Sequence, residues 1–330
     1  MSTPSGSTTT LRQLLEAGLA TKTAITVPDG VSLTYAQLRD QVDAVAEFLV
    51  HHGCVRPAHV AMALPNVPEA IVAFLGTAQV ATALPLNPGL TRDECQPFLE
   101  EERTRALIVR PGEGGAVRQA APAGLQIIEI SIDGGGLHLS STKPGGAGST
   151  APGSSGDDVA LQLSSSGTTG RPKRVPLRHR NMLASVEHIV DHYQLNGDDR
   201  TLCVMPLFHI HGLVAATLST LASGGTIVLP DKFNPLSFER TLRDEAVTWY
   251  TAVPTIHQLA VRRRDAGSHA EAPSLRFIRS CSAKLPIETL EQLESYFGVP
   301  VLEAYGMTEA SHQMASNPLP PAARVPASVG

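Results

Sequence analysis

The 330 residues include only four cysteines, Cys54, Cys95, Cys203 and Cys281, and none stands in a Cys-x-x-Cys pair. That absence excludes the zinc ribbon and the thioredoxin-type redox motif. Sparse, unpaired cysteine fits a reducing compartment, so a cytoplasmic protein is expected. Basic residues are outnumbered, 26 Lys and Arg against 31 Asp and Glu, which sets a formal net charge of −5. Nonspecific nucleic-acid binding wants a basic field that this balance does not supply. The one basic run, Arg262-Arg263-Arg264, reads as the solvated end of a helix. No apolar run approaches the roughly 20 residues of a membrane-spanning helix. Residues 1–10 hold no basic residue and no apolar core, so they read as a disordered tail and not as a signal peptide. No Gly-x-Ser-x-Gly elbow is present, which removes sequence support for a serine hydrolase.

What is present is an alternation of short apolar runs with amphipathic segments. Thr34-Tyr35-Ala36-Gln37 has the form of a capping box, and Leu38, Val42, Val45, Ala46 and Leu49 then fall on one helical face, with Gly53 as the stop. Thr91-Arg92-Asp93-Glu94 repeats the box. Strands are expected at 59–64, 106–109 and 126–132, with a helix from the end of the first through Ala78. Residues 111–158 shift to Gly, Ser, Ala and Pro, and 141–158 read as a connector. Beyond it, helices are expected near 179–193, 211–222, 235–246, 255–265 and 285–297, and strands at 201–205, 226–229, 248–253, 275–280 and 299–304. The alternation predicts an α/β fold with a parallel sheet.

One loop stands out. Val159 to Leu163 reads as a strand, and Ser164-Ser165-Ser166-Gly167-Thr168-Thr169-Gly170-Arg171-Pro172-Lys173 follows it. Glycines let a backbone wrap closely around a ligand and point N–H groups at anionic oxygens. Hydroxyls add donors, and a lysine adds a point charge suited to phosphate. The alternative is a plain surface loop, the usual fate of Ser/Thr/Gly clusters. The Walker A pattern is not met, because Arg-Pro separates Gly170 from Lys173.

This loop resembles the phosphate loop of the adenylate-forming superfamily of acyl-CoA synthetases, luciferases and peptide-synthetase adenylation domains. Pro206-Leu207-Phe208-His209-Ile210-His211-Gly212 is similar to that family's aromatic-His segment beside the acyl pocket. Tyr305-Gly306-Met307-Thr308-Glu309 resembles its adenine-and-magnesium motif, and Arg279-Ser280-Cys281-Ser282-Ala283 its small-residue loop beside the adenine. The pieces occur in the family's order over residues 11–330. The run from Leu302-Glu303-Ala304 through Ala310-Ser311-His312 to Pro320 looks like the oxalate–CoA ligase branch, and equally like mycobacterial fatty-acid–CoA ligases. Two departures stand out: Arg174 follows the loop lysine where the family carries Gly, and no segment matches the family's ribose-binding Asp, hinge or C-terminal lysine. The resemblance therefore implies the large N-terminal domain of an adenylate-forming enzyme, layered sheets flanked by helices, incomplete and without the small C-terminal domain.

The same resemblance implies an ATP-dependent acid–CoA ligase that forms an acyl-adenylate and then a thioester. ATP, Mg²⁺ and CoA are the implied cofactors and co-substrates, with a small polar acid such as oxalate, or a fatty acid, as the acyl donor. Loading of a carrier protein and a noncatalytic nucleotide- or acyl-binding module are the alternatives, and a homodimer is left open. Ser165, Ser166, Gly167, Thr168, Thr169, Gly170 and Lys173 would hold the β- and γ-phosphates. Thr168 and Glu309 would meet magnesium, a hard cation that prefers oxygen. Thr308 would donate to the α-phosphate. Tyr305 would stack on adenine, with Ser282, Ala283, Glu303, Ala304 and Gly306 around the nucleotide. His209 would line or gate the acyl pocket, and His211, Ser280, Ser282 and His312 would offer donors to a small anionic acid. His188 and His192, four apart, have metal-compatible spacing but no evident third ligand, and read as an exposed helix face.

Overall fold

Helices begin where local side chains satisfy free amides. Thr34 Oγ1 accepts the Gln37 N–H at 3.2 Å, and the Gln37 side chain accepts the Thr34 N–H at 2.9 Å. This reciprocal cap opens helix Tyr35–His51, whose buried face includes the expected Leu38, Val42, Val45, Ala46 and Leu49. The chain turns away at Gly53, whose φ of +71° is the left-handed geometry that favours glycine. Thr91 and Glu94 build the second box at helix Arg92–Leu99. The computed structural model describes residues 9–146, 153–165, 173–262, 270 and 272–330. Residues 1–8 of the expected tail and 147–152 of the expected connector lie outside them. Thr9 and Thr10 both donate backbone N–H groups to the Gln13 side chain at the start of a 3₁₀ turn, Leu11–Ala17.

Strands, numbered along the chain, are β1 (Thr23–Thr26), β2 (Ser32–Thr34), β3 (His59–Met62), β4 (Thr82–Pro85), β5 (Thr104–Val109), β6 (Gln126–Asp133) and β7 (Gly136–Ser141). They continue with β8 (Val159–Ser165), β9 (Lys173–Arg178), β10 (Arg200–Leu202), β11 (Thr226–Val228) and β12 (Trp249–Ala252). The last three are β13 (Phe277–Ser280), β14 (Val301–Met307) and β15 (His312–Ser316). Two sheets result, with orders β7-β6-β5-β3-β4-β8-β9 and β15-β14-β13-β12-β10-β11-β1-β2. Their interiors are parallel, and β2, β7, β9 and β15 close the edges antiparallel. Helix Tyr35–His51 by its apolar face, and helix Pro68–Val80 along nearly its whole length, pack into the large core shared with both sheets. Burying nearly continuous apolar strands on both faces is what a parallel sheet requires.

The expected α/β class is borne out, and the helix at His179–Tyr193 matches its expected bounds. Elements in the Gly/Ser-rich stretch and beyond it that were not expected include a helix and strands β7, β9 and β15. Helix Gly115–Ala120 sits in the stretch. Strand β7 pairs with β6 through a turn at Gly134 and Gly135, both at positive φ, as a two-residue hairpin of this twist demands. Strand β9 pairs with β8, so Ser165 and Lys173 are opposite one another. The expected helix at 211–222 begins as a π-helical segment, His211–Leu218, every residue of it buried.

His179 ties three parts of this core together. Its Nδ1 accepts the Leu11 N–H at 3.1 Å, and its Nε2–H donates to the Ala78 carbonyl at 3.0 Å. Burial, reinforced by the Arg56 charge, lowers its pKa to about 4. In the unfolded chain the ring takes its proton near 6.5. Its neutral form therefore contributes fully above that value, and the contribution is lost as pH falls toward 4. Urea midpoints are expected to drop across this window, and His179→Gln to remove up to about one proton of the slope. An unchanged slope in the variant would contradict this role.

Candidate active site

Chain order in the larger sheet runs outward from β10. Strands β11 and β1 lie on one side, and β12, β13 and β14 on the other. In open α/β sheets ligands bind outside the carboxyl ends of the strands at such a reversal. The segment Pro206–Gly212 leaves the carboxyl end of β10. Thr251 and Ser280 stand at the carboxyl ends of β12 and β13, and Tyr305–Met307 carry β14 beyond its pairing with β13. Three of the four resemblance-bearing segments thus converge at one edge of one sheet.

At that edge lies a buried polar cluster. Arg279, on β13, is 0 % exposed. Its Nε donates to the Tyr193 hydroxyl at 2.9 Å, Nη1 to Thr251 Oγ1 at 2.9 Å and Nη2 to Gln313 Oε1 at 3.0 Å. His211 and His312 are both buried, with ring centroids 5.1 Å apart. Burial first, and then the Arg279 charge, push both rings well below the ordinary histidine pKa, so they are neutral near pH 7. Ser280 Oγ is buried with no hydrogen-bond partner among the described residues. A buried polar atom without a partner costs free energy that a bound ligand can recover. His209, by contrast, is exposed, its ring tilted against Phe208 at 4.6 Å. The structure therefore separates the two histidines of the motif, one at the surface and one in the cluster. Gly212 follows because a Cβ there would run into the carbonyl of Pro206.

The residues expected around the nucleotide occupy the same edge with different degrees of freedom. Tyr305 is half exposed, Ser282 and Ala283 are exposed, and Ser282 holds φ at +75°. Thr308 and Glu309 form a short 3₁₀ turn, Thr308–Ala310, which packs against β9. That packing brings β9, the strand that opens at Lys173, against the turn that carries Glu309. Glu303 is committed elsewhere: its carboxylate accepts the Ala327 N–H at 2.8 Å, and burial raises its pKa. Ala304 is buried and pairs with Ser316. Of the loop itself, Ser166, Gly167, Thr168, Thr169 and Gly170 lie outside the described residues. Its flanks Ser165 and Lys173 are paired in the β8–β9 ladder.

Arg174, which stands where the family carries Gly, sits in β9 with an extended backbone opposite Ser164 and forms an ion pair with Glu101 while stacking over Phe98. An extended strand needs no glycine there. His192 is not simply exposed, since its Nε2–H donates to the Asn317 carbonyl at 3.0 Å. Gly306 has a steric reason of its own: a Cβ would collide with the His312 carbonyl. Gly306→Ala is expected to cost about 1–3 kcal/mol and to displace His312, read as a lowered melting temperature and altered His312 NMR shifts. Wild-type stability in this variant would contradict the close approach.

Residues 16–330 match the family described as AMP-binding enzyme. The chain belongs to that family. It is 41 % identical over 307 residues to an oxalate–CoA ligase of Arabidopsis thaliana, covering 90 % of this chain and 60 % of the relative. It is 35 % identical over 348 residues to an oxalate–CoA ligase of Saccharomyces cerevisiae, covering 93 % and 62 %. The fold superposes on ATP-bound MatB from Rhodopseudomonas palustris with a TM-score of 0.84 at 28 % identity, covering 97 % of this chain and 64 % of that one. The chain thus spans about 60 % of the length of the curated relatives it matches.

Within this AMP-binding fold, sequence reasoning missed the centre of the cluster. Arg279 was noted only as part of a motif, and Thr251, Tyr193 and Gln313 not at all. A signal existed: Arg279 is a charge in the middle of an apolar parallel strand, Phe-Ile-Arg-Ser. Such a residue is buried only when its donors are met.

Proposed function

We propose that the whole protein activates a small acid with ATP and passes it to CoA, as an acid–thiol ligase. The carboxylate oxygen of the acid bonds to the α-phosphorus as the bond to pyrophosphate breaks; the CoA sulfur then bonds to the acyl carbon and AMP leaves. The observation that supports this reading is the packing of the Thr308–Ala310 turn, which carries Glu309, on β9, the strand that Lys173 opens. Lys173, with Ser165, Ser166, Gly167, Thr168, Thr169 and Gly170, holds the β- and γ-phosphates. Thr308 donates to the α-phosphate, and Tyr305 covers the adenine beside Ser282, Ala283 and Gly306. The hard oxygens of Glu309 and Thr168 fit magnesium, which neutralises phosphate charge when bound.

For the acid, His211, Ser280 and His312 favour a small molecule with a second anionic group, and His209 stands at the rim. A long alkyl chain would leave those buried polar atoms unpaired. The names of the two oxalate–CoA ligases point the same way. Residues 11–330 act in this reading as one N-terminal nucleotide-binding unit. Among the described residues no helix is long and apolar enough to cross a membrane, and all four cysteines are free and buried; a cytoplasmic location is part of the proposal. So is a homodimer, to be read by sedimentation. The test of function is oxalate-dependent exchange of labelled pyrophosphate into ATP by the whole protein. A clear preference for palmitate over oxalate would overturn the small-acid reading, and no exchange with any acid would overturn the ligase.

A further inference from the structure

We propose that Arg279 is a positioning residue for recognition of the acid: acting through Thr251 and His211, it orients Ser282 as a hydrogen-bond donor toward a second anionic group. The inference rests on the acid-activating reading above and adds a residue and a direction to it.

The direction follows from counting protons. A guanidinium carries five N–H donors and no acceptor. Arg279 is fully buried, and no carboxylate among the described residues forms an ion pair with it. Its Nη1 donates to Thr251 Oγ1 at 2.9 Å. That hydroxyl keeps one proton of its own, and it stands 2.6 Å from His211 Nε2. Arg279 Nη1 also faces the same Nε2 at 3.4 Å. Two donors converging on Nε2 require a lone pair there, so the proton of the neutral ring sits on Nδ1. Nδ1 in turn lies 3.1 Å from Ser282 Oγ. The ring donates, the serine oxygen accepts, and the serine proton is left to turn toward a ligand. Ser282 is exposed and just beyond the carboxyl end of β13.

A second arm repeats the logic. Arg279 Nη2 faces His312 Nδ1 at 3.5 Å, which assigns that ring's proton to Nε2. A charge that is sealed from solvent thereby polarises two neutral rings whose donors it does not supply itself. The ligand class that gains is a small acid with anionic oxygens beyond the reacting carboxylate. A monocarboxylate of the same size gains nothing from the relay.

The experiment uses Thr251→Val, which removes the hydroxyl link, and Thr251→Ser, which restores it. Long-range ¹⁵N–¹H spectra of the histidine-labelled chain should show His211 as Nδ1–H and His312 as Nε2–H. Thr251→Val should mix the His211 tautomers, and Thr251→Ser should recover the wild-type pattern. With ATP and magnesium present, affinity for oxalate should fall about tenfold in Thr251→Val, the scale of one charged hydrogen bond, while affinity for acetate holds. Wild-type His211 protonated on Nε2 would overturn the proposal, as would equal losses for oxalate and acetate. Failure to bind ATP at all would instead refute the ligase reading, and the tautomer spectra would still decide the relay.

Discussion

Lys173→Ala is expected to lower acid-dependent pyrophosphate exchange by the whole protein about 10²- to 10³-fold, the usual consequence of removing one contact to developing charge. Stability should shift by no more than about 0.5 kcal/mol. Lys173 is exposed at the first position of β9, and the structure gives its side chain no ion pair among the described residues. Its backbone is held opposite Ser165 by the ladder, so the substitution removes a charge without loosening the hairpin. The two readouts must separate: pyrophosphate exchange for function, thermal unfolding for the fold. A large fall in melting temperature with normal exchange would assign Lys173 to structure. Lys173→Arg is the useful companion, because a planar fork replaces a point charge and phosphate contact is retained in altered geometry.

Trp249→Ala is expected to cost about 3–5 kcal/mol, the scale of deleting a large buried aromatic side chain. Trp249 is 0 % exposed on β12 and stacks on Phe277 of β13 at 5.3 Å between ring centroids. Tyr193 stacks on Phe277 at 5.2 Å and stands 6.3 Å from Trp249, so each ring meets the other two. The three rings form one small core with Ile189, Leu195, Ala215 and Leu302, in which Trp249, Phe277 and Leu302 come from the starts of β12, β13 and β14. Tyr193 also receives the Arg279 Nε–H, so the cavity left by Trp249 reaches the polar cluster through a single residue. Denaturant midpoints measure the cost, and Trp249→Phe should recover more than half of it. A loss below about 1 kcal/mol in Trp249→Ala would show that this core does not support the site.

Much of the fold was legible because its signals are local. The capping boxes at Thr34 and Thr91, the amphipathic face from Leu38 to Leu49 and the short apolar runs of β10 to β14 each obey a pattern contained in a few residues. Strand β9 was missed because Lys173-Arg-Val-Pro-Leu-Arg178 alternates charge with apolar residues on an edge, and its partner β8 lies across a loop. Strand β7 was missed because glycines and serines hid a hairpin turn inside what read as a linker. The site divided similarly. Motif residues His211, Ser282 and His312 sit in recognisable segments, and the structure brings them together. The wiring between them was not, because Thr251, Tyr193, Arg279 and Gln313 come from four separate elements. Only the sheet order, which reverses at β10, brings them within hydrogen-bond reach.

The proposed site for ATP and magnesium is the edge formed by β9, the Thr308–Ala310 turn and the ends of β12 to β14. Isothermal titration of ATP into this chain, with and without Mg²⁺, and beside Lys173→Ala and Glu309→Gln, tests it most directly. One site per chain is expected, tighter with magnesium, weakened by Lys173→Ala at any magnesium level, and stripped of its magnesium dependence by Glu309→Gln. Absence of ATP binding, or binding indifferent to both substitutions, would contradict it.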